Sequence, residues 1–207
     1  MGKQPTAGKQ STSQETHTDV SECTDFNILA GKLAYSKPHA DLLNNTYVQC
    51  LAGLKLWMTV VNITHREWQA FLQRGGNWLP PKSRTVAILL QLGDTLLMPP
   101  GVRVVHAPLI ITPCLMQGGM VWDSSAIPSI LENMRDICLH LVSTNEDVPH
   151  ELEQMLAMIE TTTEISDSAR HAICSFRDKV ACRCCMNAKA CMDSCPCRER
   201  ESRCTPW

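Results

Sequence analysis

The sequence predicts a mainly β domain, an antiparallel sandwich or barrel, followed by a short helical region and a cysteine-rich tail. Between about residue 26 and residue 123, short apolar runs rich in strand-favouring residues alternate with turn signals. After Trp122 the apolar residues instead recur at three- and four-residue steps, which is typical of helices. Seven of the twelve cysteines lie between Cys182 and Cys204, which sets the end of the chain apart from the rest.

The predicted strands are short and are separated by turns that contain Gly, Pro or Asp. They are TYVQCLAG, LKLWMTVVNI, TVAILLQLGD, TLLMPPG, VRVVHAPLII and CLMQGGMVW. One segment among them, THREWQAFLQRG, has helical spacing and is expected to pack Trp68, Phe71 and Leu72 on the sheet.

Three helices are predicted after the strands. The first is SSAIPSILENMRDICLHLV, the second begins near Pro149 and runs through HELEQMLAMIE, and the third is SDSARHAICSFRDKV. Residues 1 to 25 are rich in Gln, Ser, Thr, Lys and Gly and are predicted to be disordered. The predicted organisation is a tail over 1–25, a β domain over 26–123, a helical region over 124–180 and a cysteine-rich tail over 181–207.

The bulk properties are those of a folded chain with no global preference for nucleic acid or membrane. The 207 residues are 44% hydrophobic and 19% charged, and the formal net charge is −2. A core can therefore form, and the chain is not disordered as a whole. Without an apolar leader or a run of roughly 18 apolar residues, the sequence predicts a soluble intracellular protein.

The tripeptide His39-Ala40-Asp41 and the later His106 are the candidate metal ligands. On an extended strand, His39 and Asp41 would point to the same side. His106 follows the turn at Pro99-Pro100-Gly101 on a returning strand. Two imidazoles and one carboxylate occupy one face of an iron ion and leave positions open for other ligands. Taken singly, His-x-Asp is common by chance, and a histidine on an apolar strand is usually a core residue bonded to a carbonyl.

With these residues the chain resembles the JmjC branch of the Fe(II)/2-oxoglutarate oxygenases, and particularly the short fungal JmjC-domain proteins. The resemblance covers roughly residues 30 to 123 and rests on the His39–Asp41 pair, on GLKLW, and on GDTLLMPPGVRVVHA followed by CLMQGGMVW. It implies a double-stranded β-helix of the jelly-roll type, and it implies that His39, Asp41 and His106 bind Fe(II).

The same resemblance implies a 2-oxoglutarate site. Lys55 matches the lysine that pairs with the distal carboxylate, and Ser36 matches a hydroxyl that bonds the same group, while Asn45 is a weaker candidate. A cation on a long stem is a reasonable anchor for a carboxylate. Taken alone, Lys55 would be read as a solvated strand residue. Relatives usually carry more chain before the first ligand than the roughly 38 residues here, so an open pocket or an inactive copy is the competing expectation.

The leading functional prediction is therefore a dioxygenase that acts on a protein substrate, a histone tail among the candidates, by hydroxylation or N-methyl-lysine demethylation. The alternative is a catalytically inactive JmjC-like scaffold. In that case the C-terminal tail would mediate chromatin, nucleic-acid or protein contact.

The cysteine-rich tail is the candidate zinc site. It resembles part of the CXC-type zinc cluster of tesmin-like proteins, and from Lys179 onward six basic residues outnumber three acidic ones. A net +3 beside zinc could contact phosphates, which favours a nuclear location. The simpler alternative is an unstructured tail without metal. The candidate ligands are Cys182, Cys184, Cys185, Cys191, Cys195, Cys197 and Cys204.

Overall fold

The β domain is one five-stranded antiparallel sheet. A computed structural model describes residues 25–149, 152–161 and 165–180. In it, β1 and β5 pair, β5 and β2 pair, and β2 pairs with both β3 and β4. The strands are β1 (Asp25–Ala30), β2 (Thr46–Val60), β3 (Thr85–Leu90), β4 (Thr95–Leu97) and β5 (His106–Met120).

The two long strands each bend within their length. β2 and β5 have 15 residues each, and their register shifts three times between Cys50 and Lys55. At this irregularity Gly53 has φ +82°, and a Cβ added to it would lie 2.1 Å from the carbonyl oxygen of Pro113. The close approach therefore requires glycine. The sequence predicted two separate strands in place of β2 and two in place of β5, and both predictions were wrong. In β2, Gly53 marks a bulge and not a turn.

The helix predicted between strands is present as α1 (His65–Arg74). It begins with a capping box, in which Thr64 accepts from the backbone of Glu67 and the Glu67 side chain accepts from the backbone of Thr64. Trp68, Phe71 and Leu72 are fully buried on its inner face, but they pack in the cluster formed with the later helices and not, as predicted, on the sheet.

Three helices follow the sheet, which confirms the predicted change of character. They are α2 (Ile127–Cys138), α3 (Leu152–Thr161) and α4 (Asp167–Val180). Short 3-10 turns occupy Gly75–Asn77, Lys82–Arg84, Ser124–Ala126 and Leu141–Ser143. None of the described helices is long and apolar enough to cross a membrane.

Two hydrophobic clusters hold these layers together. The smaller one lies within the sheet and includes Val48, Trp57 and Met116. The larger one joins α1 to α2–α4 and also contains Ala40, Leu42 and Leu43 from the loop before β2. The architecture is the predicted mainly β, jelly-roll-type domain with helices after it, and the loop before β2 is packed against those helices.

Arg103 links the β domain to α2. Its guanidinium donates to Asn133 at 3.0 Å, pairs with Glu132 at 3.1 Å and lies over the Trp68 ring. The cysteine-rich tail lies outside the described residues.

Candidate metal centre

His39, Asp41 and His106 converge at one end of the sheet. One ligand atom from each side chain can be chosen so that all three lie within 4.8 Å of one another. The Nε2 of His106 is 3.4 Å from Oδ1 of Asp41. His39 and His106 are also cross-strand neighbours, since each backbone N–H donates to the other's carbonyl at 3.0 Å.

The backbone places His39 and Asp41 differently from the prediction. Asp41 lies outside every strand, and His39 takes part only in the isolated bridge to His106. The positions of His39 and Asp41 are therefore set by a loop, and not by the alternation of side chains along a strand. The loop is ordered by backbone hydrogen bonds and by the buried side chains of Ala40 and Leu42 on either side of Asp41.

Each of the three side chains is oriented by its neighbours. Nδ1 of His39 lies 2.7 Å from the carbonyl oxygen of Lys37, so a proton on Nδ1 satisfies that contact and leaves the Nε2 lone pair free. Thr46 donates its hydroxyl to Oδ2 of Asp41 at 2.6 Å. The ring of His106 stacks on Trp57 with the centroids 4.7 Å apart.

His106 is buried as a neutral base. It is 3% exposed, and burial lowers its pKa to about 4; the Asp41 carboxylate opposes that shift, while His39 and Lys55 add to it. Its Nδ1 has no hydrogen-bond partner among the described residues. The neutral form keeps a lone pair for a metal at neutral pH.

Lys55 lies in the same cavity as the three ligands. This cavity has a volume of about 560 Å³ and is also lined by Ser36, Phe26 and Ile28. Lys55 is 3% exposed, and burial lowers the pKa of its ammonium group, with Cys114, Cys50 and Asp41 acting in the opposite direction.

The Lys55 ammonium lacks an anionic partner in the described part of the chain. Its Nζ lies 4.7 Å from the centroid of the Trp57 ring. The ammonium group forms no hydrogen bond or ion pair with the described residues. A buried cation without a counter-ion is costly. The cavity is therefore suited to an anionic ligand.

The remaining predicted residues are placed differently. Ser36 lines the cavity, and its backbone N–H donates to Pro108 at 3.0 Å. Asn45 is buried with φ +83° and does not line the cavity; its carbonyl accepts from Val121 instead. The structure thus brings five of the six candidate iron and 2-oxoglutarate residues together and leaves Asn45 apart.

Glu146 is a site residue that the sequence did not indicate. Its Oε2 accepts from the backbone N–H of Leu42 at 2.6 Å, although 104 residues separate the two. The pKa of Glu146 is raised to about 8, mainly by burial and to a smaller extent by the neighbouring Asp41 carboxylate. The hydrogen bond from Leu42 opposes this shift. No local pattern marks this residue, because its role depends on how the helical region folds back onto the sheet.

The fold and this side-chain cluster define a jelly-roll-type β domain with a candidate metal centre. No family model matches the chain. A curated protein, KK-1 biosynthesis cluster protein D of Curvularia clavata, is 35% identical over 135 residues. The match covers 65% of this chain and 14% of that protein, so the chain spans only about a seventh of the relative's length.

Several solved structures match the chain at low similarity. The Drosophila melanogaster CENP-C cupin domain has a TM-score of 0.35 and 8% identity, over 48% of this chain and 62% of that one. Hydroquinone 1,2-dioxygenase from Sphingomonas sp. TTNP3 has a TM-score of 0.33 and 15% identity, over 47% and 58%. Likeness at this level says nothing about activity.

Proposed function

We propose that this domain is an Fe(II)- and 2-oxoglutarate-dependent dioxygenase of the JmjC type that acts on a protein substrate. One observation carries the proposal. A two-histidine, one-carboxylate cluster lines the same cavity as a buried lysine that has no anionic partner among the described residues.

The donor set fits iron. Two ligands each about 2.1 Å from a metal and at right angles to one another are about 3 Å apart. The 3.4 Å between Nε2 of His106 and Oδ1 of Asp41 is close to that separation. Imidazole and carboxylate together suit non-haem Fe(II), whereas an all-oxygen set would suit Mg²⁺ or Ca²⁺.

Each side chain has a separate role in holding the metal. His39 and His106 would present neutral nitrogen lone pairs, and Asp41 would supply the negative charge that retains a divalent ion. Thr46 holds the second carboxylate oxygen of Asp41, so that Oδ1 stays directed at the site. When bound, Fe(II) with 2-oxoglutarate supplies oxidative chemistry that protein side chains cannot provide.

Lys55 would bind the distal carboxylate of 2-oxoglutarate. A small dicarboxylic acid with one end at the metal and the other at the Lys55 ammonium would neutralise a cation that is otherwise uncompensated. The cavity of about 560 Å³ is within the usual range for small-molecule sites. Ser36 is available on the same wall for a further hydrogen bond.

The choice of a protein substrate rests on the sequence resemblance. Hydroxylation and N-methyl-lysine demethylation are both consistent with the proposed chemistry, and a histone tail is one candidate substrate. A nuclear location and a zinc-bearing tail belong to the same proposal and have the same basis.

The experiment is a binding and turnover assay on protein purified without oxygen. With Fe(II) and 2-oxoglutarate, the unsubstituted protein is expected to show a metal-to-ligand charge-transfer absorption and, once oxygen is admitted, slow formation of succinate. Asp41→Ala is expected to lose iron. Lys55→Met is expected to keep iron but to weaken 2-oxoglutarate binding by about tenfold or more, because a charge-assisted bond is lost.

Two control variants separate these effects from general damage. Asp94→Ala changes a carboxylate that caps the turn before β4 through the N–H of Gln91, and Lys82→Met removes an exposed lysine. Both are expected to behave like the unsubstituted protein. Retention of iron without any 2-oxoglutarate binding would reject the dioxygenase and favour the scaffold; no iron binding would reject the metal centre itself.

A further inference from the structure

The helical region contacts the metal-ligand loop on both sides of Asp41. The backbone N–H of Ala40 donates to the carbonyl of Ser143 at 2.9 Å, and the N–H of Leu42 donates to the Glu146 carboxylate at 2.6 Å. The two acceptors belong to the segment between α2 and α3, far along the chain from the loop they hold.

Glu146 is turned inward, unlike its neighbours. All three residues from Asn145 to Asp147 line the cavity, but Asn145 and Asp147 are exposed, whereas Glu146 is partly buried. Its Oε2 accepts the short hydrogen bond from the N–H of Leu42, which the carboxyl group can do in either protonation state.

The Leu42 amide in turn needs this acceptor. The Leu42 side chain is fully buried in the cluster that joins the helices, and the residue lies outside every strand. A buried backbone N–H without a partner is costly, so the bond from Leu42 to Glu146 fixes the main chain at this point.

We infer that Glu146 is a positioning residue for the metal centre. By holding the N–H of Leu42, while Ser143 holds that of Ala40, it sets the backbone from which the Asp41 carboxylate reaches the metal. Thr46 fixes that carboxylate from the other side. The inference rests on the proposed metal centre and makes the helical region part of it.

Glu146 does not act as a fourth ligand. The donor atoms that lie within 4.8 Å of one another come from His39, Asp41 and His106, and Glu146 is not among that group. Its Oε2 already accepts from Leu42. A glutamine can accept the same hydrogen bond through its carbonyl oxygen, whereas it is a poor substitute for a metal-binding carboxylate.

The test compares Co²⁺ binding by the unsubstituted protein and by three variants, followed by absorption and calorimetry. Glu146→Gln is expected to bind within about threefold of the unsubstituted protein. Glu146→Ala is expected to bind about 10- to 100-fold more weakly, the usual range for loss of a residue that orients a ligand. Asp94→Ala, which removes a carboxylate that does not line the cavity, is the control and should bind normally.

A second measurement needs no metal. Hydrogen exchange of the backbone amides of residues 40–42 is expected to be faster in Glu146→Ala than in Glu146→Gln or Asp94→Ala. Faster exchange confined to this loop, with α2 and α4 unchanged, would separate local positioning from unfolding.

Three experimental outcomes would overturn the inference. Normal Co²⁺ binding and normal exchange in Glu146→Ala would overturn the positioning role alone. A loss in Glu146→Gln as large as in Glu146→Ala would also overturn it, because that result would make the carboxylate a ligand. Failure of the unsubstituted protein to bind Co²⁺ or Fe(II) would overturn the metal centre and the inference with it.

Discussion

His106 is a candidate metal ligand whose protonation is strongly disfavoured by its burial. Its pKa is lowered to about 4 from an ordinary value of 6.5, chiefly by burial. The unfolded chain therefore binds a proton at pH 5 that the folded protein does not. Stability from this residue is present above pH 6.5 and is lost as the pH falls towards 4, by roughly 3 kcal/mol in the metal-free protein.

The prediction can be measured directly by NMR titration of the His106 imidazole, with an expected midpoint near 4. In urea unfolding, His106→Gln should show a weaker loss of stability between pH 6.5 and 4 than the unsubstituted protein. The comparison is needed because Glu146, with its pKa raised to about 8, contributes in the opposite direction from pH 4.5 upward. A midpoint near 6.5 would contradict the burial argument.

At the scale of secondary-structure elements, the bulge in β2 lies next to Lys55, since the register with β5 shifts between Leu54 and Lys55. Gly53→Ala would place a Cβ 2.1 Å from the carbonyl oxygen of Pro113, at a residue with φ +82°. We expect a loss of about 2–4 kcal/mol in the free energy of unfolding, because backbone atoms must move. Since Lys55 is two residues further on, 2-oxoglutarate binding should weaken as well.

The matched control for this variant is Gly31→Ala. No heavy atom lies within 4 Å of a Cβ added at Gly31, and its φ is not positive. Urea unfolding should place this variant within about 0.5 kcal/mol of the unsubstituted protein. Equal effects of the two substitutions would show that the bulge is not the cause.

The elements also show what the sequence could predict. The periodic helices α1 and α2 were correctly predicted, because the spacing of apolar residues is a local signal. β1 was not predicted, since DFNILA has no turn signal before it and lies next to a polar segment. The long bent strands were divided at Gly53 and near Pro113, because a glycine at a bulge and one in a turn are alike in sequence.

The sequence also predicted part of the candidate metal site. His39, Asp41 and His106 could be grouped from their residue types and order, and the structure brings them together. Asn45 could not be placed, since its left-handed backbone conformation and its position outside the cavity lining are visible only in the structure. Glu146 and the orientation of Trp57 on His106 depend on tertiary packing, for which no short-range pattern exists.

At the scale of the whole molecule, the ligand loop and the helices share one hydrophobic cluster. Ala40 and Leu42 pack in the cluster that contains Ile137 and Ile173. A metal that binds only the folded protein should therefore stabilise the helices together with the sheet. At a free concentration 100 times its Kd, it should add about 2.7 kcal/mol to the free energy of unfolding.

Hydrogen exchange with and without Mn²⁺ tests this coupling. Protection of the amides in α2 and α4 is expected to rise when the metal is added, and Asp41→Ala should abolish the rise. If protection rises only in the loop and in β5, the helices unfold independently of the metal centre.

The two hydrogen bonds that flank Asp41 also bear on how such a chain can diverge. Ala40 and Leu42 contribute their backbone N–H groups, which every residue except proline possesses, so these two positions are free to change with the surrounding core. Position 146 instead needs a side chain with an acceptor oxygen. Among descendants of this gene, the His-x-Asp pair and an acidic or amide residue at position 146 should be retained together or lost together. The residue at position 146 should vary in the copies that no longer bind the metal.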